Sequence, residues 1–220
     1  DGLHYVGAAP VVGRVSGTVL TGLADLMEAA GTDRVRLTPH QKLVVLDVPP
    51  ARLDALVTGL DDLGLSVTPS PFRRHTMACT GIEFCKLAIV ETKATAATAI
   101  SELERRLADV TDQLDTPVTL NLNGCPNSCA RIQVADIGLK GMIVTTDGEQ
   151  GPGFQVHLGG GLASQDRDEA GLGRTVRGLK VTAADLPDLV ERLVRHWLDQ
   201  REGGETFSGW VYRVDEEELR

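Results

Sequence analysis

The apolar positions of the first seventy residues recur with two different periods. Spacings of three and four residues predict two helices. The first has one apolar stripe, formed by Leu20, Leu23, Leu26, Met27 and Ala30, and the second has Leu53, Leu56, Val57 and Leu60 facing inward. Ser16 or Thr18 is the expected N-cap of the first helix, and Gly31 is its expected end. Short apolar runs predict strands at 11–15, 35–38, 43–48 and 65–68. The predicted order is therefore strand, helix, strand, strand, helix, strand.

The remaining residues mix both periods less regularly. Pro69, Ser70 and Pro71 predict a linker, which divides the chain into domains 1–70 and 71–220. The second part is predicted to contain a long helix at 86–107, a buried strand at 118–122, short strands at 133–137, 142–145 and 154–158, and a last helix capped by Asp185. The aromatic segment 207–212 is expected to pack back on the body. The order of the first part is that of a ferredoxin-like βαββαβ unit, so we expect an α+β protein.

Composition narrows the classes of function. The chain has 220 residues, of which 42% are hydrophobic and only 4% aromatic, so we expect an aliphatic core. The net charge of −9 argues against a nucleic-acid partner. No apolar run approaches the roughly 18 residues of a membrane span, and no signal-peptide pattern is present. We therefore expect a cytoplasmic protein with no membrane partner. Because the sequence begins at Asp1 without an initiator Met, we interpret it as a fragment or a trimmed chain.

All four cysteines fall into two short pairs. Cys79 and Cys85 are separated by five residues, Cys125 and Cys129 by three, and 39 residues lie between the pairs. In a reducing compartment, spaced cysteines are metal ligands or catalytic groups more often than disulfides. Four thiolates suit either Zn²⁺ or an iron–sulfur cluster. The wide spacing favours the cluster, and a zinc site, a disulfide or unliganded thiols remain the alternatives.

The residues around the cysteines carry a resemblance to a known family. Segments 77–86 (MACTGIEFCK) and 123–131 (NGCPNSCAR) resemble the signature of siroheme-containing nitrite and sulfite reductases. Segments 135–141 (ADIGLKG) and 154–160 (FQVHLGG) are similar to the same family, and 6–41 resembles the second of its two ferredoxin-like half-domains. The resemblance is strongest to the C-terminal half of actinobacterial ferredoxin-dependent assimilatory sulfite reductases. It implies a ferredoxin-like half-domain followed by a mixed α/β domain that binds siroheme and a 4Fe–4S cluster.

The resemblance also implies specific roles. Cys79, Cys85, Cys125 and Cys129 would bind the 4Fe–4S cluster, and Cys129 would also be the proximal ligand of the siroheme iron. Ferredoxin would supply electrons for the six-electron reduction of sulfite to sulfide or of nitrite to ammonia. The basic residues that bind the substrate would lie mainly in an N-terminal half of the same enzyme. We therefore expect this chain to be inactive alone and name no catalytic residue in it.

Siroheme carries many carboxylates, whose burial requires cations and backbone donors. Arg131, close to Cys129, is the first candidate, and Asn123 and Asn127 in the same turn are expected to cap backbone or contact sulfur. The further candidates are Arg73, Arg74, His75, Arg174, Arg177 and Lys180. His157 is left unassigned, because a lone histidine in a strand is more often a packed or edge residue than a ligand.

Other functions remain open at this point. Within the superfamily, the alternatives are a nitrite reductase and a cobalamin-pathway relative of the precorrin-3B synthase type. An electron carrier would hold a cluster without a tetrapyrrole, and a zinc-stabilised interaction domain would be colourless. Metal analysis and one visible spectrum would distinguish these possibilities.

Overall fold

The computed structural model describes residues 2–146, 148–165 and 168–220. They form two compact units that divide between Arg74 and His75. The strands are β1 (His4–Ala8), β2 (Val35–Leu37), β3 (Leu43–Val48), β4 (Thr76–Ala78), β5 (Leu120–Asn123), β6 (Ile137–Thr146), β7 (Glu149–Leu158) and β8 (Arg174–Thr182). The helices are α1 (Gly17–Ala30), α2 (Leu53–Asp62), α3 (Pro71–His75), α4 (Lys93–Arg106), α5 (Leu186–Gln200) and α6 (Phe207–Arg213). The domain boundary expected after residue 70 stays a prediction.

The first unit is a three-stranded antiparallel sheet with two helices. The strands lie in the order β1-β3-β2. The apolar faces of α1 and α2 meet the sheet in one core, which includes Leu23, Met27, Val45, Leu56 and Leu60. The predicted caps of α1 are confirmed: the Ser16 side chain accepts from the N–H of Val19, and Gly31 ends the helix with a φ of 77°.

Two strand predictions in this unit are wrong. The segment 11–15 is not a strand, because Val11–Gly13 forms a 3-10 turn in which Val12 is buried with a φ of 46°. The first strand instead precedes it, at β1. The strand expected at 65–68 is reduced to a single bridge, in which the Ala9 N–H donates to the Ser66 carbonyl at 2.8 Å. The helix expected from Pro50 opens as a 3-10 turn, and α2 itself begins at Leu53.

The second unit is built on a five-stranded mixed sheet in the order β4-β5-β6-β7-β8. Strands β4, β5 and β6 run parallel, and the remaining pairs are antiparallel. The expected packing of the aromatic tail is confirmed, since Phe207 and Trp210 of α6 are fully buried and Phe207 contacts Trp197 of α5 at a ring distance of 6.0 Å. The indole N–H of Trp210 donates to Gln200 at 2.9 Å. The last helix is therefore part of the core.

Several boundaries in this unit differ from the prediction. The helix expected over 86–107 begins only at Lys93, because the backbone before it bonds elsewhere, as the Ile89 N–H does to the Gly124 carbonyl at 2.7 Å. The strand expected at 133–137 is a 3-10 turn, Ile132–Val134. The two short strands at 142–145 and 154–158 are parts of the long β6–β7 hairpin, and β4 and β8 were missed. Asp185 precedes α5, but its carboxylate accepts from the Thr182 hydroxyl instead of capping the helix.

Ion pairs join α4 to α5. Arg195 bonds Asp109 at 3.0 Å beyond the end of α4, and its guanidinium also donates to the Arg106 carbonyl at 2.8 Å. Arg106 in turn bonds Asp188 and Glu102. These contacts hold α4 against α5. Within the described ranges, no helix is long and apolar enough to cross a membrane.

Candidate metal centre

Both cysteine pairs begin where a parallel strand ends. Strands β4 and β5 are parallel neighbours, with Ala78 opposite Leu122. The residues that follow them therefore leave the sheet side by side, at the carboxyl ends of the two strands. Cys79 directly follows β4, and its N–H donates to the Leu122 carbonyl at 2.9 Å. Gly124 and Cys125 directly follow β5. Each pair therefore begins at a junction between a strand and a turn.

The two cysteine loops are in direct contact. The Gly124 N–H donates to the Cys79 sulfur, with 3.1 Å between N and Sγ. A Cβ atom placed on Gly124 would lie 3.5 Å from the Gly81 Cα and 2.9 Å from the Ala88 Cβ. The backbones of the loops therefore approach as closely as they do because both positions are glycine. The loop of the first cysteine pair therefore contacts the loop of the second pair beyond the ends of β4 and β5.

The first loop is shaped by Gly81 and by a buried hydroxyl. Gly81 has a φ of +74°, and a Cβ there would lie only 2.6 Å from the Oγ1 atom of Thr92. The Gly81 carbonyl accepts from the Cys85 N–H at 3.0 Å, and the Cys85 carbonyl accepts from the Ala88 N–H at 3.1 Å. Two consecutive turns, one on each side of Cys85, therefore fix the backbone of Cys85 in the first loop.

The second loop is clamped from inside by Asn123, which is fully buried. Its Nδ2 donates to the Cys125 carbonyl at 3.3 Å, and its Oδ1 accepts from the Ala130 N–H at 2.6 Å. One side chain thus holds both ends of the Cys125–Cys129 loop. Asn123 was expected to cap backbone or contact sulfur, and these bonds are backbone caps.

Left-handed backbone flanks Cys129. Ser128 has a φ of 60° and Arg131 a φ of 56°, although neither is glycine. The Arg131 N–H donates to the Ser128 carbonyl at 2.8 Å, which closes the turn between them. Such strained backbone persists where the surroundings determine it, and it is concentrated at functional sites.

A row of register partners crosses all five strands of this sheet beneath the second loop. It consists of Met77, Asn121, Gly138, His157 and Thr175. Partners on neighbouring strands share a face. The segment after Cys129 lies on this row: the Asn121 amide donates to the Arg131 carbonyl at 3.3 Å, and a Cβ on Gly138 would lie 2.0 Å from the Ile132 carbonyl oxygen.

The four thiols differ in exposure. All are free, with Cys125 buried, Cys79 and Cys85 partly buried, and Cys129 exposed. Within the described part of the chain, no three His, Cys, Asp or Glu side chains are placed to bind one metal ion. In a 4Fe–4S cluster four cysteines surround several irons, so their sulfurs need not converge on a single point. Four thiols on two touching loops, one already accepting a backbone N–H, fit such a cluster.

The other predicted site residues are scattered. Arg131 donates from Nη2 to the Met77 sulfur at 3.3 Å, which places its guanidinium beside β4. Asn127 is exposed in the second loop. Arg73 belongs to the first unit, where it donates to the carbonyls of Ala9, at 2.9 Å, and Gly64. Arg74 is exposed in that unit, Arg174 bonds the Val211 carbonyl, and Arg177 and Lys180 are exposed on β8.

Two further buried residues of this region have contacts that sequence reasoning did not predict. Thr92 is fully buried and contacts Cys79. This contact depends on the tertiary conformation of residues 86–92, which the sequence pattern does not show. His157 bonds Thr175 through Nδ1 at 3.0 Å, while its Nε2 is buried without a partner. Burial, and then the positive charge of Lys140, lower the pKa of His157 below its ordinary value. The sequence left His157 unassigned, and the structure shows that it is a packed residue of β7.

Comparison with known families decides the assignment. A family model described as "Nitrite and sulphite reductase 4Fe-4S domain" matches residues 70–220. A second, described as "Nitrite/Sulfite reductase ferredoxin-like half domain", matches residues 1–63. The chain belongs to the nitrite and sulphite reductase family. Membership confirms the fold class expected from the sequence and implies a 4Fe–4S cluster and a siroheme.

Members of this family with the name sulfite reductase are highly similar to the chain. "Sulfite reductase [ferredoxin] 1" of Mycolicibacterium paratuberculosis is 59% identical over 221 residues, and "Sulfite reductase [ferredoxin]" of Mycobacterium tuberculosis is 56% identical over 222 residues. Each alignment covers 100% of the chain but 39% of the relative, so the chain spans about two fifths of the relatives' length. The "Assimilatory ferredoxin-dependent nitrite reductase" of Haloferax mediterranei is 36% identical, over 96% of the chain and 35% of its own length.

Two solved structures have the same fold as the chain. The Mycobacterium tuberculosis NirA protein superposes with a TM-score of 0.95 at 55% identity, over 100% of the chain and 40% of NirA. Dissimilatory sulfite reductase I superposes with a TM-score of 0.72 at 14% identity, over 99% of the chain and 68% of its own. The second likeness concerns the fold alone.

Proposed function

We propose that this chain is the cluster- and siroheme-binding portion of a ferredoxin-dependent sulfite reductase. Cys79, Cys85, Cys125 and Cys129 would hold the 4Fe–4S cluster. When bound, the cluster and the siroheme supply the electron path and the iron at which HSO₃⁻, six electrons and six protons become HS⁻ and three waters. The observation that carries the proposal is the contact between the two cysteine loops, in which the Gly124 N–H donates to the Cys79 sulfur.

Cys129 is proposed to be the thiolate shared with siroheme. It is the exposed thiol of the four, so its sulfur is accessible to a second group after the cluster is bound. The loop that carries it is held by the buried Asn123 and by the seat of residues 131–132 on the sheet. The backbone that carries the Cys129 thiolate is therefore held in place on the chain, which supports shared ligation.

Cations near Cys129 are proposed to bind the siroheme carboxylates. Arg131 is the best placed of the predicted residues, since its backbone is fixed on both sides and it follows Cys129 by two positions. Asn127, exposed in the same loop, is a second donor. Arg73 and Arg74 remain proposals that rest on the family resemblance alone.

Sulfite is proposed as the substrate in preference to nitrite. The relatives named sulfite reductases are 56% to 59% identical to the chain, whereas those named nitrite reductases are 36% to 40% identical. Ferredoxin is the proposed electron donor, as in the names of these relatives. We also propose a cytoplasmic location, because reduced thiols are needed for cluster binding, and association with an N-terminal half of the same enzyme.

Metal analysis of the four single Cys→Ser variants tests the proposal. The chain is produced anaerobically and reconstituted with iron, sulfide and siroheme, and iron and acid-labile sulfide are measured per chain. We expect about four of each in the wild type, together with a tetrapyrrole band in the visible spectrum. Each serine variant should lose the cluster, whereas Ser101→Ala on the exposed side of α4 should retain it.

The outcomes separate the alternative functions. A cluster without a tetrapyrrole band would indicate an electron carrier. About one zinc and no sulfide per chain would indicate a zinc-stabilised domain. Serine variants that all retain wild-type iron and sulfide would contradict the proposed ligands.

A further inference from the structure

Thr92 lies at the beginning of α4 but does not act as a helix cap. A threonine at this position ordinarily accepts a hydrogen bond from the backbone of the first helical turn. Here the side chain makes no such bond, and Glu91 accepts from the Ala94 N–H instead, at 3.3 Å. The Thr92 side chain is fully buried, and its hydroxyl is turned away from the helix toward the first cysteine loop.

The Thr92 hydroxyl contacts Cys79 at two atoms. It donates to the Cys79 carbonyl at 2.7 Å, and its oxygen lies 3.8 Å from the Cys79 sulfur. A thiolate that binds iron has no hydrogen of its own, so only the hydroxyl can donate across the second contact. One hydrogen can be shared between two acceptors in a three-centre bond. The Cys79 sulfur would then have two donors, Thr92 and the Gly124 N–H.

The neighbouring glycine leaves room for this hydroxyl. A Cβ on Gly81 would lie 2.6 Å from the Thr92 Oγ1 and 3.0 Å from the Thr92 nitrogen. The first loop therefore closes directly over the hydroxyl. The contact is built into the packing of the loop and does not depend on a mobile surface side chain.

We propose that Thr92 is a positioning residue that holds Cys79 in place and raises the reduction potential of the cluster. The inference rests on the proposed function, because it requires Cys79 to be a cluster ligand. Hydrogen bonds to the sulfurs are among the factors that set cluster potentials. A donor stabilises the reduced cluster more than the oxidised one, since reduction adds negative charge. Removing the hydroxyl therefore lowers the potential.

The test uses the full chain, reconstituted anaerobically with iron and sulfide, and four proteins. These are the wild type, Thr92→Val, Thr92→Ser and Thr95→Val. Valine keeps the shape of threonine without the hydroxyl, and serine keeps the hydroxyl. Thr95 is the matched control on the same helix, because its hydroxyl bonds the Glu91 carbonyl, at 3.0 Å, and not a cysteine loop. The midpoint potential is measured by a redox titration followed by electron paramagnetic resonance.

We expect a lower potential in Thr92→Val and wild-type potentials in Thr92→Ser and Thr95→Val. A folded Thr92→Val chain that fails to hold the cluster, when Thr92→Ser holds it, would also support the positioning role. Equal potentials in Thr92→Val and wild type would overturn the inference while leaving the proposed function intact. A wild-type chain that binds no cluster would overturn both.

A second variant covers a failure to fold. If circular dichroism shows that Thr92→Val is unfolded, Thr92→Ala is measured in its place, since alanine removes the hydroxyl without placing a methyl group against the Cys79 carbonyl. If both variants are unfolded while Thr95→Val is folded, the inference is overturned, because the fold and not the cluster would then require the hydroxyl.

Discussion

At the residue scale, the centre depends on small groups that each satisfy the backbone of a cysteine loop. Asn123 bonds both ends of the second loop, and Gly81 and Gly124 let the loops touch. The sequence predicted that the four cysteines form a metal centre and that Asn123 caps the backbone or contacts sulfur, because residue type and spacing carry that information. It did not predict Thr92, because a buried threonine acquires its partner only through the tertiary fold.

Asn123→Ala should destabilise the chain and its cluster site. The change leaves the Cys125 carbonyl and the Ala130 N–H without their partner, and an unsatisfied buried group costs about 1–3 kcal/mol. The free energy of unfolding of the cluster-free chain, measured in urea, should fall by an amount in this range. Asn127→Ala, in the same loop but exposed, is the control. Equal decreases in the free energy of unfolding of the two variants would contradict the role of Asn123 in holding the second loop.

His157 should make stability depend on pH. Its pKa is lowered in the folded chain, whereas in the unfolded chain it returns to about 6.5. The unfolded state therefore binds the proton more readily. For this reason the free energy of unfolding is not reduced by His157 above about pH 6.5, and it decreases as the pH falls below that value. We expect the decrease in Tm between pH 7.5 and pH 5.5 to be smaller in His157→Asn than in the wild type. The same substitution at the exposed His196 should leave the decrease unchanged, and parallel curves for all three proteins would refute the role of His157.

At the scale of elements, the periodic helices α1 and α5 were predicted well and the segments around the site were not. The apolar spacing of Leu20 to Ala30 is sufficient for α1. Residues 86–92 were predicted as the first turns of a helix, but the Ile89 N–H bonds the second cysteine loop at the Gly124 carbonyl. The strands of the sheet edge, β4 and β8, are short or polar, so their hydrophobic pattern is weak. The parts that position the cysteines are therefore those where tertiary contacts override local preference.

The 3-10 turn Ile132–Val134 packs directly on β6, and this contact gives a prediction for Gly138. A Cβ there would lie 2.0 Å from the Ile132 carbonyl oxygen, so Gly138→Ala must lift the turn from the sheet. Overpacking of this kind costs about 1–3 kcal/mol, and we expect a loss of that order together with lower cluster occupancy, because the turn follows Cys129.

Gly151→Ala on β7 is the matched control for Gly138→Ala, since a Cβ at Gly151 meets no atom within 4 Å. Unfolding in urea and iron content measure the two effects. A Gly138→Ala chain as stable as Gly151→Ala would show that the turn is not seated as described.

At the scale of the whole chain, all four cysteines lie in the second unit, whereas the family's reaction is carried out by proteins of which the chain covers 39%. We therefore expect the chain loaded with both cofactors to form no sulfide from sulfite with reduced methyl viologen. The Mycobacterium tuberculosis relative, assayed in parallel, is the positive control. Sulfide formation by the chain at the rate of the relative would contradict this expectation.

The contact between the cysteine loops also bears on the order of events during synthesis. Cys79 and Cys85 leave the ribosome well before β5 and Cys125, and the Cys79 sulfur gains its Gly124 donor only when β5 has paired with β4. A nascent chain that ends between the pairs has two thiols and no partner loop. If the four cysteines bind the cluster as proposed, its assembly waits until the second pair has been translated and β5 has paired with β4. A cluster-delivery machinery would then act on the chain late in translation or after it.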